Sequence, residues 1–135
     1  MENGLVHFDV IKDERGSLIS LEQIKNIPFN LKRVYYLYDL KDSEPRGFHA
    51  HKNLRQLMVC MSGSCRVVLD DGKTKKNVVL DSPEKGLLID SMVWREMHDF
   101  SNECVLMVMA NEYYEESDYI RDYDEFRKTA RGEAI

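Results

Sequence analysis

Along most of this chain apolar and polar positions alternate in short runs divided by turn residues. That period of two predicts β-strands, and only the last segment changes to helical spacing. Residues 5–11 alternate as a first strand, Asp13-Glu14-Arg15-Gly16 reads as a turn, and 17–21 resumes as a short strand. Residues 22–32 hold Asn26, Pro28 and Asn30 and predict a connection with one helical turn at its start. Aromatic and β-branched residues crowd 33–40, a strand by composition. A polar loop at 41–45 leads into a strand carrying Arg46-Gly47-Phe48-His49-Ala50-His51. Residues 56–61 and 65–69 flank Ser62-Gly63-Ser64 as a hairpin, and the Asp-Gly turn at 70–73 returns the chain into 77–80. After a loop at 82–86, short strands are expected at 87–90 and 93–100. Residues 104–110 are apolar throughout, which predicts a strand covered on both faces. From Asp118 onward, Tyr119, Tyr123, Phe126 and Ala130 fall at helical spacing, with Ser117 or Asp118 as the cap. About ten short strands and one terminal helix predict an all-β chain, an antiparallel barrel or jelly roll.

Length allows a single domain, 1–135, with one packed core. Several strands are apolar on both faces: Leu57, Val59 and Met61 alternate with Met58 and Cys60. A barrel has one inside, so the surplus face predicts packing against a second copy, a homodimer, in preference to cover by the helix and loops alone. The net charge of −5 argues against non-specific nucleic-acid binding, which needs a basic face, while leaving room for a local basic pocket that takes one small anion. No apolar stretch reaches the length of a membrane span, and the first residues lack the pattern of a signal peptide. The three cysteines, Cys60, Cys65 and Cys104, lie in apolar runs without a Cys-x-x-Cys pair, which predicts buried reduced thiols and a cytoplasmic location.

His49 and His51 are the chemistry-bearing feature. Residues i and i+2 of a strand share a face, so two imidazoles converge where they could bind a metal or move protons. An isolated histidine is usually a hydrogen-bonded core or surface residue, as expected for His7 and His98; two in phase at a barrel mouth point to function.

His49-Ala50-His51, then Gln56, then Gly63 before the next strand, resembles the first cupin motif: His-x-His, a spacer, Glu, and Gly at the following turn. Residues 86–95 are loosely similar to the second motif, in which a His completes a metal site of three His and one Glu. Here Gln56 stands at the Glu position and Arg95 at the last His position. Gln is a poorer ligand and Arg a permanent cation, and His98, by strand parity, faces away from Arg95, so no metal is expected. Nearly the whole chain is similar to the dTDP-sugar 3,4-ketoisomerases, WxcM-like cupins of sugar-nucleotide pathways. The agreement runs through 13–16, 32–36, 45–51, 63–67, 80–83, 94–100 and 118–121. The resemblance implies a cupin, RmlC-like jelly-roll β-barrel with a short C-terminal helix, a homodimer, and a dTDP-linked 4-keto-6-deoxy sugar as substrate. It also implies a dTDP-3-oxo-6-deoxyhexose product, no metal or organic cofactor, and a place in making dTDP-3-amino-3,6-dideoxy sugars for lipopolysaccharide or S-layer glycan.

Moving a carbonyl from carbon 4 to carbon 3 takes two proton transfers through an enediol, with donors or positive charge aimed at the developing oxyanion. Imidazole, with an ordinary pKa of about 6.5, suits reversible transfer near neutral pH. His49 is therefore assigned as base at carbon 3 and His51 as supplier or relay of the second proton, or the two in exchanged roles, with Tyr35 to orient a histidine or protonate an oxygen. Arg15 and Arg95 are candidates for the sugar oxygens or the diphosphate, Arg33 and Arg46 for the diphosphate, and Gln56 for the substrate pocket. The competing readings are a cupin sugar-nucleotide epimerase, a non-catalytic sugar-binding cupin, and a metal-dependent dioxygenase or isomerase.

Overall fold

The computed structural model describes residues 4–133. Two five-stranded antiparallel sheets face one another. The first holds, in spatial order, β1 (Leu5–His7), β9 (Lys85–Ile89), β6 (Gln56–Ser62), β11 (Val105–Ala110) and β4 (Arg33–Leu37). The second holds β12 (Tyr119–Ile120), β5 (Arg46–His51), β10 (Trp94–His98), β7 (Cys65–Asp70) and β8 (Lys75–Leu80). Between them lie Met58, Cys60, Val67, Leu80, Leu87, Leu106 and Val108, all buried. Burying side chains of this size stabilises by about 1.5–3 kcal/mol each, and the layered arrangement is the expected cupin jelly roll. The three thiols are free and buried in this layer, and burial pushes Cys60 up to about 12.

The predicted hairpin at 65–80 is present as β7–β8, but the one at 56–69 is not: β6 pairs with β9 and β11 in the first sheet, and β7 with β8 and β10 in the second. At Gly63 (φ 71) the chain crosses from the first sheet to the second, and a side chain there would meet the Cys104 amide at 2.9 Å. A second hairpin, β2 (Ile11–Asp13) with β3 (Gly16–Leu18), forms around the predicted turn and stands apart from both main sheets.

Four further expectations need correction. The first strand ends at His7 instead of running to residue 11, because Phe8 turns inward to bond Glu84 and its ring packs against Gly86, which has no side chain to exclude it. Residues 22–27 form a hydrogen-bonded turn and no helix; Asn26 ties the Glu22 amide and the Ser20 carbonyl, and Ile24 sits at φ 67. The helix α1 (Tyr123–Ala130) begins five residues later than predicted, capped by Asp122, whose carboxylate accepts the Glu125 amide at 2.9 Å. Tyr119 and Ile120 are instead an unpredicted strand on β5, with Tyr119 opposite His51 and Ile120 opposite Ala50.

The fourth concerns what covers the apolar faces. α1 lies on the second sheet, where Phe126 packs with Ala50, Trp94 and Ile120. The outside of the first sheet, Leu57, Val59 and Met109, is covered by Phe8, Ile27 and Phe29 with Ile19, Leu21 and Leu31. Loop cover is thus more extensive than expected, yet Val34, Tyr36, Tyr38 and Met61 beside it remain exposed.

Candidate active site

β5 places the histidines, and its shape is irregular for a local reason. Gly47 (φ 93) and Phe48 (φ 58) form a bulge against β10, where the register slips between Arg95 and Glu96. A side chain at Gly47 would meet the Arg95 carbonyl at 2.9 Å, so only glycine permits this approach. Beyond the bulge His49 and His51 resume strand parity, and their rings meet edge to face with centroids 5.0 Å apart. The shared face predicted from spacing is what the strand delivers.

The two rings are held by different groups. His49 Nδ1 lies 3.1 Å from the Gly47 carbonyl, and His51 Nδ1 lies 3.2 Å from Asp118 Oδ2. Carbonyl and carboxylate oxygens only accept, so in the neutral rings both Nδ1 atoms carry the hydrogen and both Nε2 lone pairs are left as acceptors. His51 Nε2 is buried with no partner among the described residues. Asp118 also accepts the main-chain amides of Asn53 and Leu54, at 2.9 and 3.2 Å. It therefore clamps the end of β5 as well as the ring.

Arg95 lies opposite His49 on β10 and is only 1% exposed. Its Nη1 donates to Gln56 Oε1, its Nη2 donates to the Val93 carbonyl at 3.1 Å, and Gln56 Nε2 donates to the Tyr35 phenol at 2.8 Å. Arg33 stacks its guanidinium 5.1 Å from the Tyr35 ring centroid and 5.9 Å from that of Tyr114. Five of the eight sequence-derived candidates, His49, His51, Tyr35, Gln56 and Arg95, thus form one group inside the barrel end. Arg33 joins them at the rim of an adjoining cavity of about 280 Å³, which His51, Asp118 and Tyr119 also line.

Two candidates lie elsewhere in the protomer. Arg15 is exposed at the tip of the β2–β3 hairpin, its guanidinium 2.6 Å from Asp13. Arg46 is exposed at the start of β5 and lines a separate cavity of about 210 Å³ with the 38–45 loop. His98 faces away from Arg95, as parity requires, and bonds Glu96 at 2.9 Å.

Asp118, Tyr119 and Arg121 are site residues that sequence reasoning missed. The Tyr119 ring packs 4.9 Å from His49 and 4.3 Å from His51, Arg121 lies 4.2 Å over that same ring, and Glu116 holds Arg121 at 2.9 Å. This stretch reads as a charged helix start, and the one available signal was Asp118-Tyr119-Ile120-Arg121 among the segments similar to the ketoisomerases.

Burial above all, then the Arg95 charge, lowers His49 to about 4. The same causes, joined by the neighbouring His49, lower His51 to about 2. Both imidazoles are therefore neutral at pH 7, which corrects the premise that their ordinary basicity fits them to the task. Burial raises Tyr35 above the usual phenol value, and burial lowers Arg95 to about 10, still a cation at neutral pH. The donor set does not fit a divalent ion. Two neutral imidazoles face a buried guanidinium that is bonded to the would-be third ligand, and the described residues contain no group of three or more His, Cys, Asp or Glu side chains arranged for a metal. What the arrangement offers is two acceptor nitrogens, one phenol donor and one buried cation facing a common space.

A TDP-4-oxo-6-deoxy-alpha-D-glucose-3,4-oxoisomerase from Aneurinibacillus thermoaerophilus is 59% identical over 128 residues, 95% of this chain and 92% of that protein. The crystal structure of a 3,4-ketoisomerase from Helicobacter canadensis superposes with a TM-score of 0.93 at 49% identity, covering 97% of this chain and 98% of the other. A mutant of a Thermoanaerobacterium thermosaccharolyticum 3,4-ketoisomerase, solved with TDP-4-keto-6-deoxyglucose, also gives 0.93, at 41% identity and coverage of 98% and 96%. The family described as FdtA, WxcM-like, C-terminal, matches residues 1–131, and this chain belongs to it.

Proposed function

We infer that this chain is a dTDP-4-keto-6-deoxyglucose 3,4-ketoisomerase acting by proton transfer between adjacent ring carbons. One observation carries the reading: paired neutral imidazoles share a buried pocket with a fixed cation and a protonated phenol, in a chain 59% identical to an oxoisomerase of that substrate. His49 Nε2 takes the hydrogen from carbon 3 as a proton. The electron pair moves into the carbon 3–carbon 4 bond, and charge gathers on the oxygen at carbon 4. Arg95 stabilises that oxyanion by its charge, and the Tyr35 hydroxyl donates to it and protonates it, leaving a phenolate. The proton on His49, exchangeable with solvent, passes to His51 Nε2 and on to carbon 4, while the hydroxyl at carbon 3 returns its proton to the Tyr35 phenolate and becomes the ketone. One hydrogen has moved between carbons, one proton between oxygens, and nothing is oxidised overall.

The depressed basicity leaves both rings unprotonated at neutral pH. A neutral ring is the competent base, and the enediolate's negative charge raises its proton affinity only as the transition state forms. Arg33 suits the diphosphate. Arg15 and Arg46 lie outside the pocket of their own protomer, so a role for either requires a neighbouring chain. Exposed Val34, Tyr36, Tyr38 and Met61, with Ile11 and Leu18 on the projecting hairpin, favour a homodimer. No helix among the described residues is long and apolar enough to cross a membrane. A cytoplasmic enzyme feeding a 3-amino-3,6-dideoxy sugar to lipopolysaccharide or an S-layer glycan is the setting proposed.

The test is turnover in D2O, with NMR and trapping of the product by a 3-aminotransferase. Deuterium at carbon 4 with a 3-amino sugar is expected. Deuterium at carbon 5 would establish an epimerase instead, and an unchanged sugar would refute enzymatic action.

A further inference from the structure

Hydrogen-bond polarity through Gln56 decides where the Tyr35 hydrogen points. A guanidinium has only donors, so the side chain facing Arg95 Nη1 must present the Gln56 amide oxygen. The amide nitrogen is then turned to Tyr35 and donates to the phenol oxygen over 2.8 Å. That line is already occupied by an amide hydrogen, so the phenol's own hydrogen cannot lie on it. Gln56 is the one side chain bonded to that phenol among the described residues. Gln56 and Arg95 are both buried, so water does not compete for either bond. Ala110 lies opposite Gln56 on β11, and Ile89 lies opposite it on β9, so nothing polar on either flanking strand offers the amide another partner.

We infer that Gln56 is a positioning residue: by accepting from Arg95 and donating to Tyr35, it turns the Tyr35 hydroxyl hydrogen toward the sugar oxygen that becomes anionic. This replaces the substrate-binding role that position suggests in the sequence, and it rests on the ketoisomerase reading, which it deepens. It also accounts for a glutamine where metal-binding cupins carry a glutamate. A carboxylate accepts from both neighbours, and it would draw the Tyr35 hydrogen inward, away from substrate.

Gln56→Glu tests this with little change in shape. It should lower kcat at least about 100-fold while KM stays within about 3-fold, since the interaction lost belongs to the transition state. Tyr35→Phe should lose a similar factor, and the double variant should be no slower than Tyr35→Phe alone, because both changes remove the same hydrogen. Losses that multiply in the double variant, a Gln56→Glu enzyme within about 5-fold of wild type, or a fully active Tyr35→Phe enzyme would each overturn the inference. A second readout does not depend on turnover. In protein labelled with 3-fluorotyrosine, the Tyr35 ¹⁹F resonance, identified by its loss in Tyr35→Phe, should titrate at higher pH in Gln56→Glu, where a carboxylate holds the hydroxyl hydrogen. An unmoved titration sinks the polarity argument. A wild-type chain that leaves the keto sugar unchanged sinks the function reading, so the two failures appear in separate experiments.

Discussion

At His49 the ring hydrogen is bound by a main-chain carbonyl, and at His51 by the Asp118 carboxylate, so the two imidazoles differ in how well each tolerates a second proton. His49→Asn removes the base without removing volume. Turnover should fall at least about 100-fold, with TDP affinity by calorimetry unchanged. Asp118→Asn can present an amide N–H to His51 Nδ1 and so invert its tautomer. kcat should drop about 10–100-fold with KM little changed, and Asp118→Glu should recover part of the loss if the carboxylate is what matters. The pH dependence follows from the lowered values. Unfolded histidine binds its proton near 6.5 and folded His49 near 4, so the stability contributed by the neutral ring is complete above 6.5 and declines as pH falls toward about 4. The acid limb of kcat/KM should accordingly lie nearer 4 than 6.5. A limb at 6.5 would mean that the essential base is in water-like surroundings. The residues themselves were legible in sequence: two histidines in phase, and Gln56 and Arg95 where metal ligands would stand. Their basicity was not, because it depends on burial and on a cation brought from another strand.

The elements were legible where local chemistry fixes them. Composition marked β4, an apolar β-rich run marked β6, the Gly72 turn marked the β7–β8 hairpin, and helical spacing marked α1, whereas the hairpin read at Gly63 is a crossing between sheets. What escaped was any element defined by a distant partner. β12 is two residues long and has no pattern of its own; it is a strand because β5 lies beside it and because Asp118, read as a cap, bonds the Asn53 and Leu54 amides instead. The β5 bulge is of the same kind. Gly47→Ala places a methyl group against the Arg95 carbonyl at a φ of 93, which should cost about 2 kcal/mol or more in denaturant unfolding. It should also depress kcat by shifting His49. Full activity in that variant would show that the bulge does not aim the ring.

For the whole molecule, the two sheets divide their faces unequally. The second sheet is closed on its outside by α1, while the first keeps an exposed strip of Val34, Tyr36, Tyr38 and Met61 next to loops that cover the rest. Tyr36→Arg puts a charge on a side chain that is 67% exposed in the protomer. If a second copy packs there, sedimentation should shift from dimer toward monomer. A dimer of unchanged affinity would move the interface to another face. The β2–β3 hairpin, apolar at Ile11 and Leu18 and apart from both sheets, belongs to the same question, as does any use of Arg15 at its tip.

The order of apolar and polar residues by itself determined a β-barrel with a terminal helix, because strand and helix periods are properties of neighbouring positions. It likewise determined that two imidazoles share a face, while the resemblance to cupin motifs showed an amide and a guanidinium where metal ligands would stand. Tertiary structure alone decided that those imidazoles are neutral, that Asp118 and Tyr119 join them from 67 and 68 residues beyond His51, and that Gln56 links Arg95 to Tyr35. Proton affinity and hydrogen-bond polarity are set by what a closed barrel brings within a few ångströms, and separation along the chain carries no record of that.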